Sequence, residues 1–224
     1  MNNVVASDKV DLRSYLPDDD SIGMNRRAYL TLREALLIGA YRPGTHLNIK
    51  PIAEELGMSS MPVREAMGRL SSESVLEIMP NRGFKVPVLK IETFRELLML
   101  RIRLEEMAGA HAAVLATQED IETISALYEE MLTAQKRSMD EALRIHRQFH
   151  FAIYRVANMP IMMEFIEQLW LRLGPHIYAS LKKTWATDVK RHHEIVAALR
   201  ARDSVGAAQA IRDDIASGAD PAFY

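Results

Sequence analysis

The stretch IAEELGMSSMPVREAMGRL, Ile52 to Leu70, decides the fold of the N-terminal part of this chain. Ile52, Ala53 and Leu56 give a short helix its apolar stripe. Gly57 stands where the chain must turn, because glycine tolerates backbone conformations closed to other residues. Ser59 or Ser60 can cap the next helix, Pro62 suits its first turn, and Glu65 favours its positive end. Val63, Ala66, Met67 and Leu70 recur at helical spacing and form its inner face. Arg64, Gly68 and Arg69 point elsewhere. Two helices joined in this way make a helix-turn-helix, whose second helix fits the DNA major groove.

Outward from this core, Met24 to Ala40 reads as a helix that ends in the turn Tyr41-Arg-Pro-Gly44. The second helix opens at Asn48 or Ile49, and the reading helix runs from about Ser60 to Ser74. Val75 to Met79 predicts a strand, Pro80 to Gly83 a turn, and Phe84 to Val86 a returning strand. Two strands with a basic tip form a wing, and Pro87 to Lys90 is the linker. From Ile91 the pattern changes to long helical segments rich in Ala, Leu, Glu and Arg. Their expected spans are 91–116, 118–137, 139–157, 160–182, 186–202 and 204–217. The expected fold is mainly α: a flexible arm over 1–20, a winged helix-turn-helix over 21–88, and an all-α helical bundle over 89–224.

Composition narrows the function. The chain has 224 residues with 48% hydrophobic residues, enough to bury a core. No run approaches the roughly 18 apolar residues of a membrane span. The first twenty residues lack the apolar centre of a signal peptide. Cysteine is absent, which excludes disulfides and thiolate metal sites. A cytoplasmic protein with no membrane partner is the simplest expectation. The net charge is only −2, but it is unevenly spread. Residues 21–90 carry +4, whereas 1–20 and 91–224 carry −3 each. The one positive region holds the helix-turn-helix, as expected of a DNA-reading module joined to a regulatory one.

Two histidines, His146 and His150, lie four apart on one expected helix and so share a face. This is a common two-ligand arrangement for a divalent metal. Alone the pair is a weak signal.

The segment Leu47–Val86, with Pro43-Gly44 upstream, resembles the winged-helix domain of GntR-type bacterial transcription regulators. The phrase Met58-Ser-Ser-Met-Pro-Val-Arg-Glu-Ala-Met67 is similar to that family's usual VSRTPVREAL. The helical half resembles the FCD effector domain of the FadR-type branch. Its marks are Arg101-Ile-Arg-Leu-Glu105, Phe149-His150, Ala157-Asn158, His192 with Ile195-Val196, and Ala207 to Ile215. The resemblance covers nearly everything after about residue 24.

The resemblance implies a non-enzymatic, metabolite-responsive repressor: a homodimer on double-stranded operator DNA, with a small carboxylate effector in the helical domain. The expected DNA-contacting residues are Lys50, Ser59, Ser60, Met61, Arg64, Arg69, Arg82 and Lys85. Ser59-Ser60-Met61 departs from the family's usual Ser-Arg-Thr. Ser60 lacks the two-pronged reach of arginine to guanine, which shifts weight onto Arg64, Lys50 and the wing. Arg64 and Arg69 also have a plainer reading as solvated helix charges.

The implied metal set is His146, His150, His192 and Asp214, where the family usually carries Asp, His, His, His in chain order. His193 and Asp213 compete with their neighbours, and alignment favours His192 and Asp214. Three imidazoles and a carboxylate suit Zn²⁺ first, with Ni²⁺, Fe²⁺ and Mn²⁺ as alternatives. Arg101 is the leading effector-binding cation, able to grip a carboxylate with two N–H groups. Its plainer reading is an ion pair with Glu105 one turn on. Asn158 and Arg172 are further effector candidates. Trp170, Trp185, Met162 and Met163 are read as core or cavity wall. His46, His111 and His176 are read as ordinary surface or partly buried residues. Other readings of such a site are a metal sensor, a structural metal, and a metal-dependent enzyme that activates water.

Overall fold

The first helix packs on the third, and Leu32 and Leu36 of the first and Val63, Met67 and Leu70 of the third are all fully buried, an apolar core that organises the N-terminal unit. The computed structural model describes residues 11–19, 21–80, 82–134, 136–188 and 191–218, with 179–188 described by backbone alone. The first ten residues of the expected arm, Asn81 of the wing turn and the Trp185 side chain lie outside the described residues. The chain forms two compact units that divide between Val88 and Leu89.

The first unit contains α1 (Met24–Leu37), β1 (His46–Leu47), α2 (Ile49–Leu56), α3 (Ser60–Ser72), β2 (Glu77–Met79) and β3 (Gly83–Lys85). Gly57 ends α2 at φ 65°, the left-handed turn that joins the two helices. Ser59 occupies the cap position of α3, but its side chain makes no capping bond. The expected cap chemistry is therefore not used, and the hydroxyls of Ser59 and Ser60 stand exposed.

The reading helix stops at Ser72, two residues early. Ser74 takes a positive φ, and the Val75 N–H returns to the Leu70 carbonyl at 2.9 Å. Val75 and Leu76 are consequently buried plugs under α3, and the strand begins only at Glu77.

The sheet has the order β1-β3-β2 and is antiparallel throughout. The two-residue β1 was not expected, since it is too short to show a period. Leu47 pairs with Phe84. Gly83 is required beside it: its φ is 83°, and a Cβ there would come within 2.7 Å of the Leu47 carbonyl oxygen. The segment just before α1 also departs from a free arm. Leu12–Tyr15 forms a 3-10 turn, Leu12 is fully buried, and its N–H donates to Glu55 Oε1 at 2.7 Å.

The second unit is a bundle of α4 (Ile91–Leu115), α5 (Gln118–Ala134), α6 (Met139–Val156), α7 (Pro160–Asp188), α8 (His192–Arg200) and α9 (Ser204–Gly218). α4 lies along α9 and α5 along α6. Gly109 permits the first approach, since a Cβ there would overlap Ile211. Ser138 caps α6 by accepting from the Glu141 N–H. α7 continues through Pro175 to Asp188, and α8 starts at His192 rather than at 186. No described helix is long and apolar enough to cross a membrane.

Candidate functional site

His146 and His150 stand one turn apart on the buried face of α6 and point into the centre of the bundle. Their period places Phe149, Ile153 and Tyr154 inside as well, so α6 is amphipathic by sequence and its inner stripe is partly imidazole. His192 enters from the first turn of α8 and Asp214 from α9. One ligand atom from each of the four residues lies within 4.8 Å of the others.

The separations are tight. His150 Nε2 is 3.2 Å from His146 Nε2 and 3.1 Å from His192 Nε2. Asp214 places Oδ2 3.4 Å from His150 Nε2 and Oδ1 3.5 Å from His192 Nε2. Two ligands bound to one Zn²⁺ at 2.0–2.1 Å, at angles from 90° to tetrahedral, stand about 2.9–3.4 Å apart. The donor set and its spacing thus fit a divalent metal. Burial pushes His146 and His150 well below the ordinary imidazole range, and neighbouring cationic groups add to the effect. At neutral pH both rings are uncharged, the form that binds metal.

Both sequence ambiguities separate by exposure. His193 faces solvent while His192 is buried. Asp213 accepts a hydrogen bond from Gln209 Nε2 at 2.8 Å, outside the cluster.

A second layer surrounds His150. Glu105 and Arg101 of α4 are buried and paired, with Nε to Oε1 at 2.5 Å and Nη2 to Oε2 at 3.3 Å. Trp170 of α7 donates its indole N–H to Glu105 Oε1 at 2.8 Å, and the Arg101 guanidinium stacks 4.1 Å over its ring. The Tyr154 hydroxyl lies 2.5 Å from Glu105 Oε2. Burial pushes the Glu105 carboxyl up, while Arg101 and the other donors oppose the shift.

Arg101 therefore satisfies both of its sequence readings in part. It makes the ion pair with Glu105, and it also borders a cavity with His146, Trp170, Gly174, Ile177 and Tyr178. That cavity has room for about one water, about 10 Å³. Asn158 is not brought there. It is exposed at φ 52° in the turn between α6 and α7, where asparagine tolerates the left-handed conformation. Arg172 is half-buried on α7 and does not line the cavity. His176 is buried and accepts the Leu89 N–H at 3.3 Å. His46 and His111 are exposed.

Sequence reasoning missed Tyr154 and the role of Glu105 as its acceptor. The signal was available: Tyr154 extends the His146–His150 face by one more turn, and Glu105 sits one turn beyond Arg101.

On the first unit, Lys50, Ser59, Ser60, Met61 and Arg64 are all exposed. Met61 is 61% exposed. Arg64 has no ion-pair partner among the described residues. Arg69 is committed: it pairs with Glu73 at 2.9 Å and stacks 3.9 Å over Tyr29. Tyr29 in turn donates to Glu73, so the three residues clamp α1 to the end of α3. Lys85 pairs with Glu77 across the wing at 3.2 Å, while Arg82 is exposed at the wing turn.

Comparison with known proteins agrees with this division. Residues 24–86 match the bacterial regulatory proteins of the gntR family, and residues 96–217 match the FCD domain. The HTH-type transcriptional regulator McbR of Escherichia coli K12 is 38% identical over 180 residues, covering 78% of this chain and 81% of that protein. The HTH-type transcriptional repressor RspR of the same strain is 24% identical over 183 residues, covering 80% of each. The solved structure of E. coli McbR/YncC superposes with a TM-score of 0.81 at 34% identity, over 88% of this chain and 95% of that one. A winged helix-turn-helix followed by a helical bundle, with these matches along both, makes the chain a DNA-binding transcription regulator of the GntR family with an FCD domain.

Proposed function

We propose that this regulator holds a divalent metal, Zn²⁺ foremost, at His146, His150, His192 and Asp214, and that a small carboxylate bound there changes its affinity for operator DNA. The convergence of three imidazole Nε2 atoms and one carboxylate in a buried space carries this reading. Without a cation, lone pairs and a negative charge would face one another away from water, which is costly. When bound, the ion supplies open coordination positions for water or a carboxylate oxygen. Arg101, at the cavity edge, is the cationic group nearest that space, and its remaining N–H groups suit a second carboxylate oxygen.

The cavity is too small for such an effector as it stands. Entry therefore requires Trp170, Ile177 or Tyr178 to give way, and a ligand that favours the displaced arrangement shifts the population toward it. The protein acts as a homodimer in the cytoplasm, since paired reading helices match a pseudo-palindromic operator. Lys50, Ser59, Ser60, Met61 and Arg64 face the major groove in this reading, and Arg82 with Lys85 meets the phosphate backbone. Repression, relieved when the carboxylate binds, is the sign of regulation in this reading, and RspR is named a transcriptional repressor.

The same cavity size favours one second reading, in which the metal itself is the effector. A gel-shift titration with DNA from upstream of the gene separates the two. Expected are specific, salt-sensitive binding and release by one carboxylate from a panel, with release abolished by a chelator while binding persists. Release that survives chelation removes the metal from effector capture. A change in DNA affinity on adding metal alone makes the protein a metal sensor.

A further inference from the structure

The metal reading uses only the inward edge of His150. Its outward edge is also held. His150 Nδ1 lies 3.2 Å from the hydroxyl oxygen of Tyr154, one turn further along α6. That hydroxyl is also 2.5 Å from Glu105 Oε2 on α4. Glu105 is fully buried and already receives Arg101 Nε, Arg101 Nη2 and Trp170 Nε1. Those groups have protons to give and none to accept, so the carboxylate is filled as an acceptor.

The proton arrangement follows from this count. A tyrosine hydroxyl has one proton, and a short bond to a carboxylate is where it is held most strongly. With that proton directed at Glu105, the Tyr154 oxygen faces His150 only as an acceptor. His150 then carries its proton on Nδ1 and presents a lone pair at Nε2, leaving His192 Nε2, 3.5 Å from Oδ1, to donate to the Asp214 carboxylate whose Oδ2 stands 3.4 Å from His150 Nε2. Nε2 is the atom at the centre of the cluster, 3.1–3.2 Å from the other two imidazoles.

We infer that Tyr154, oriented by Glu105, is a positioning residue that locks His150 in the Nδ1–H form with its Nε2 lone pair turned into the cluster. Arg101 and Trp170 act one step further out by holding Glu105. The consequence for metal affinity rests on the metal-centre reading above, but the lock itself is a property of the metal-free chain. Outer partners of this kind typically change metal affinity 10–100-fold when removed. The arrangement also explains why a buried arginine and glutamate sit beside a ligand set that neither of them joins.

The test uses the full-length protein and the Tyr154→Phe variant, which keeps the ring and removes only the hydroxyl. Nitrogen-15 NMR of the metal-free wild type, with labelled histidine, reads the tautomer of His150. Competition with a chromophoric chelator reads Zn²⁺ affinity. Melting of both metal-free proteins confirms that each is folded. Expected are an Nδ1–H pattern in the wild type, a mixed pattern in the variant, and Zn²⁺ binding weakened 10–100-fold. A wild type protonated on Nε2 overturns the inference without recourse to any variant. So does a folded variant with an unchanged tautomer and Zn²⁺ affinity within twofold of the wild type. A wild type that shows the Nδ1–H pattern but takes up no Zn²⁺ upholds the lock and overturns the metal-centre reading instead.

Discussion

His150 on α6 and Asp214 on α9 approach to 3.4 Å between Nε2 and Oδ2, although α7 and α8 separate them in the chain. Asp214 is the one carboxylate among the four clustered residues, and it is buried with only 8% exposure. Its charge is the main compensation that the site offers a divalent cation. Asp214→Asn keeps the shape and removes that charge. The expected result is loss of metal-induced thermal stabilisation, because a ligand raises the melting temperature only by binding the folded state. Differential scanning fluorimetry with and without Zn²⁺ checks this. The wild type should rise by several degrees and the variant should not.

Arg64 and Arg69 lie on the same helix but should behave differently. Arg64 is exposed and unpaired among the described residues, whereas Arg69 is engaged by Glu73 and Tyr29. Arg64→Ala should weaken operator binding at least tenfold and reduce the salt dependence by about one phosphate contact or relax one base preference. Arg69→Ala should cost about 0.5–1 kcal/mol of stability, since its ion pair is largely solvent-exposed and the stacking adds a similar amount. Its operator affinity should change by less than threefold. Gel shifts at three salt concentrations, beside urea melts, distinguish the two.

The wing depends on Gly83. A Cβ at φ 83° would press on the Leu47 carbonyl and part β1 from β3. Gly83→Ala should destabilise the first unit by about 1–3 kcal/mol, the usual cost of a strained backbone position. Denaturant melts of the full chain, followed by amide exchange at Leu47 and Phe84, check this directly.

Acid should destabilise the metal-free protein through His146 and His150. Burial holds both below their ordinary value of 6.5 in the folded chain. The unfolded chain therefore binds more protons once pH falls below about 6.5, and stability falls with it. Above that pH both states are neutral at these rings, and the contribution is flat. A pH series of melting temperatures on chelator-treated protein should show the decline beginning between pH 7 and 6. Replacing both histidines with glutamine should flatten it.

Much of this was legible in the sequence because it rests on period and punctuation. The helix-turn-helix announced itself through Gly57, Pro62 and the apolar stripe of α3, and the described helices of the second unit through their 3.6-residue repeat. Elements without either signal were misjudged. The stretch Lys182 to His193 contains neither glycine nor proline, so nothing in it marks the end of α7 or the late start of α8. β1 is two residues long and exists only through its pairing with β3. Leu12 is buried by tertiary packing that no local pattern foretells. Spacing paired His146 with His150, but choosing His192 over His193 took alignment, and only the fold shows which of the two is buried. Arg69 read as a free cation until Glu73 and Tyr29 were placed beside it. Asn158 looked like a polar recognition group and is a helix-junction residue.

The central claim is that the buried cluster is a metal centre, and metal stoichiometry tests it most directly. Wild type and His150→Ala, each equilibrated with Zn²⁺ and passed through a desalting column, are measured by elemental analysis. About one Zn²⁺ per wild-type chain and less than a tenth of that in the variant is the expected result. Equal content in the two proteins, or none in the wild type, would contradict it.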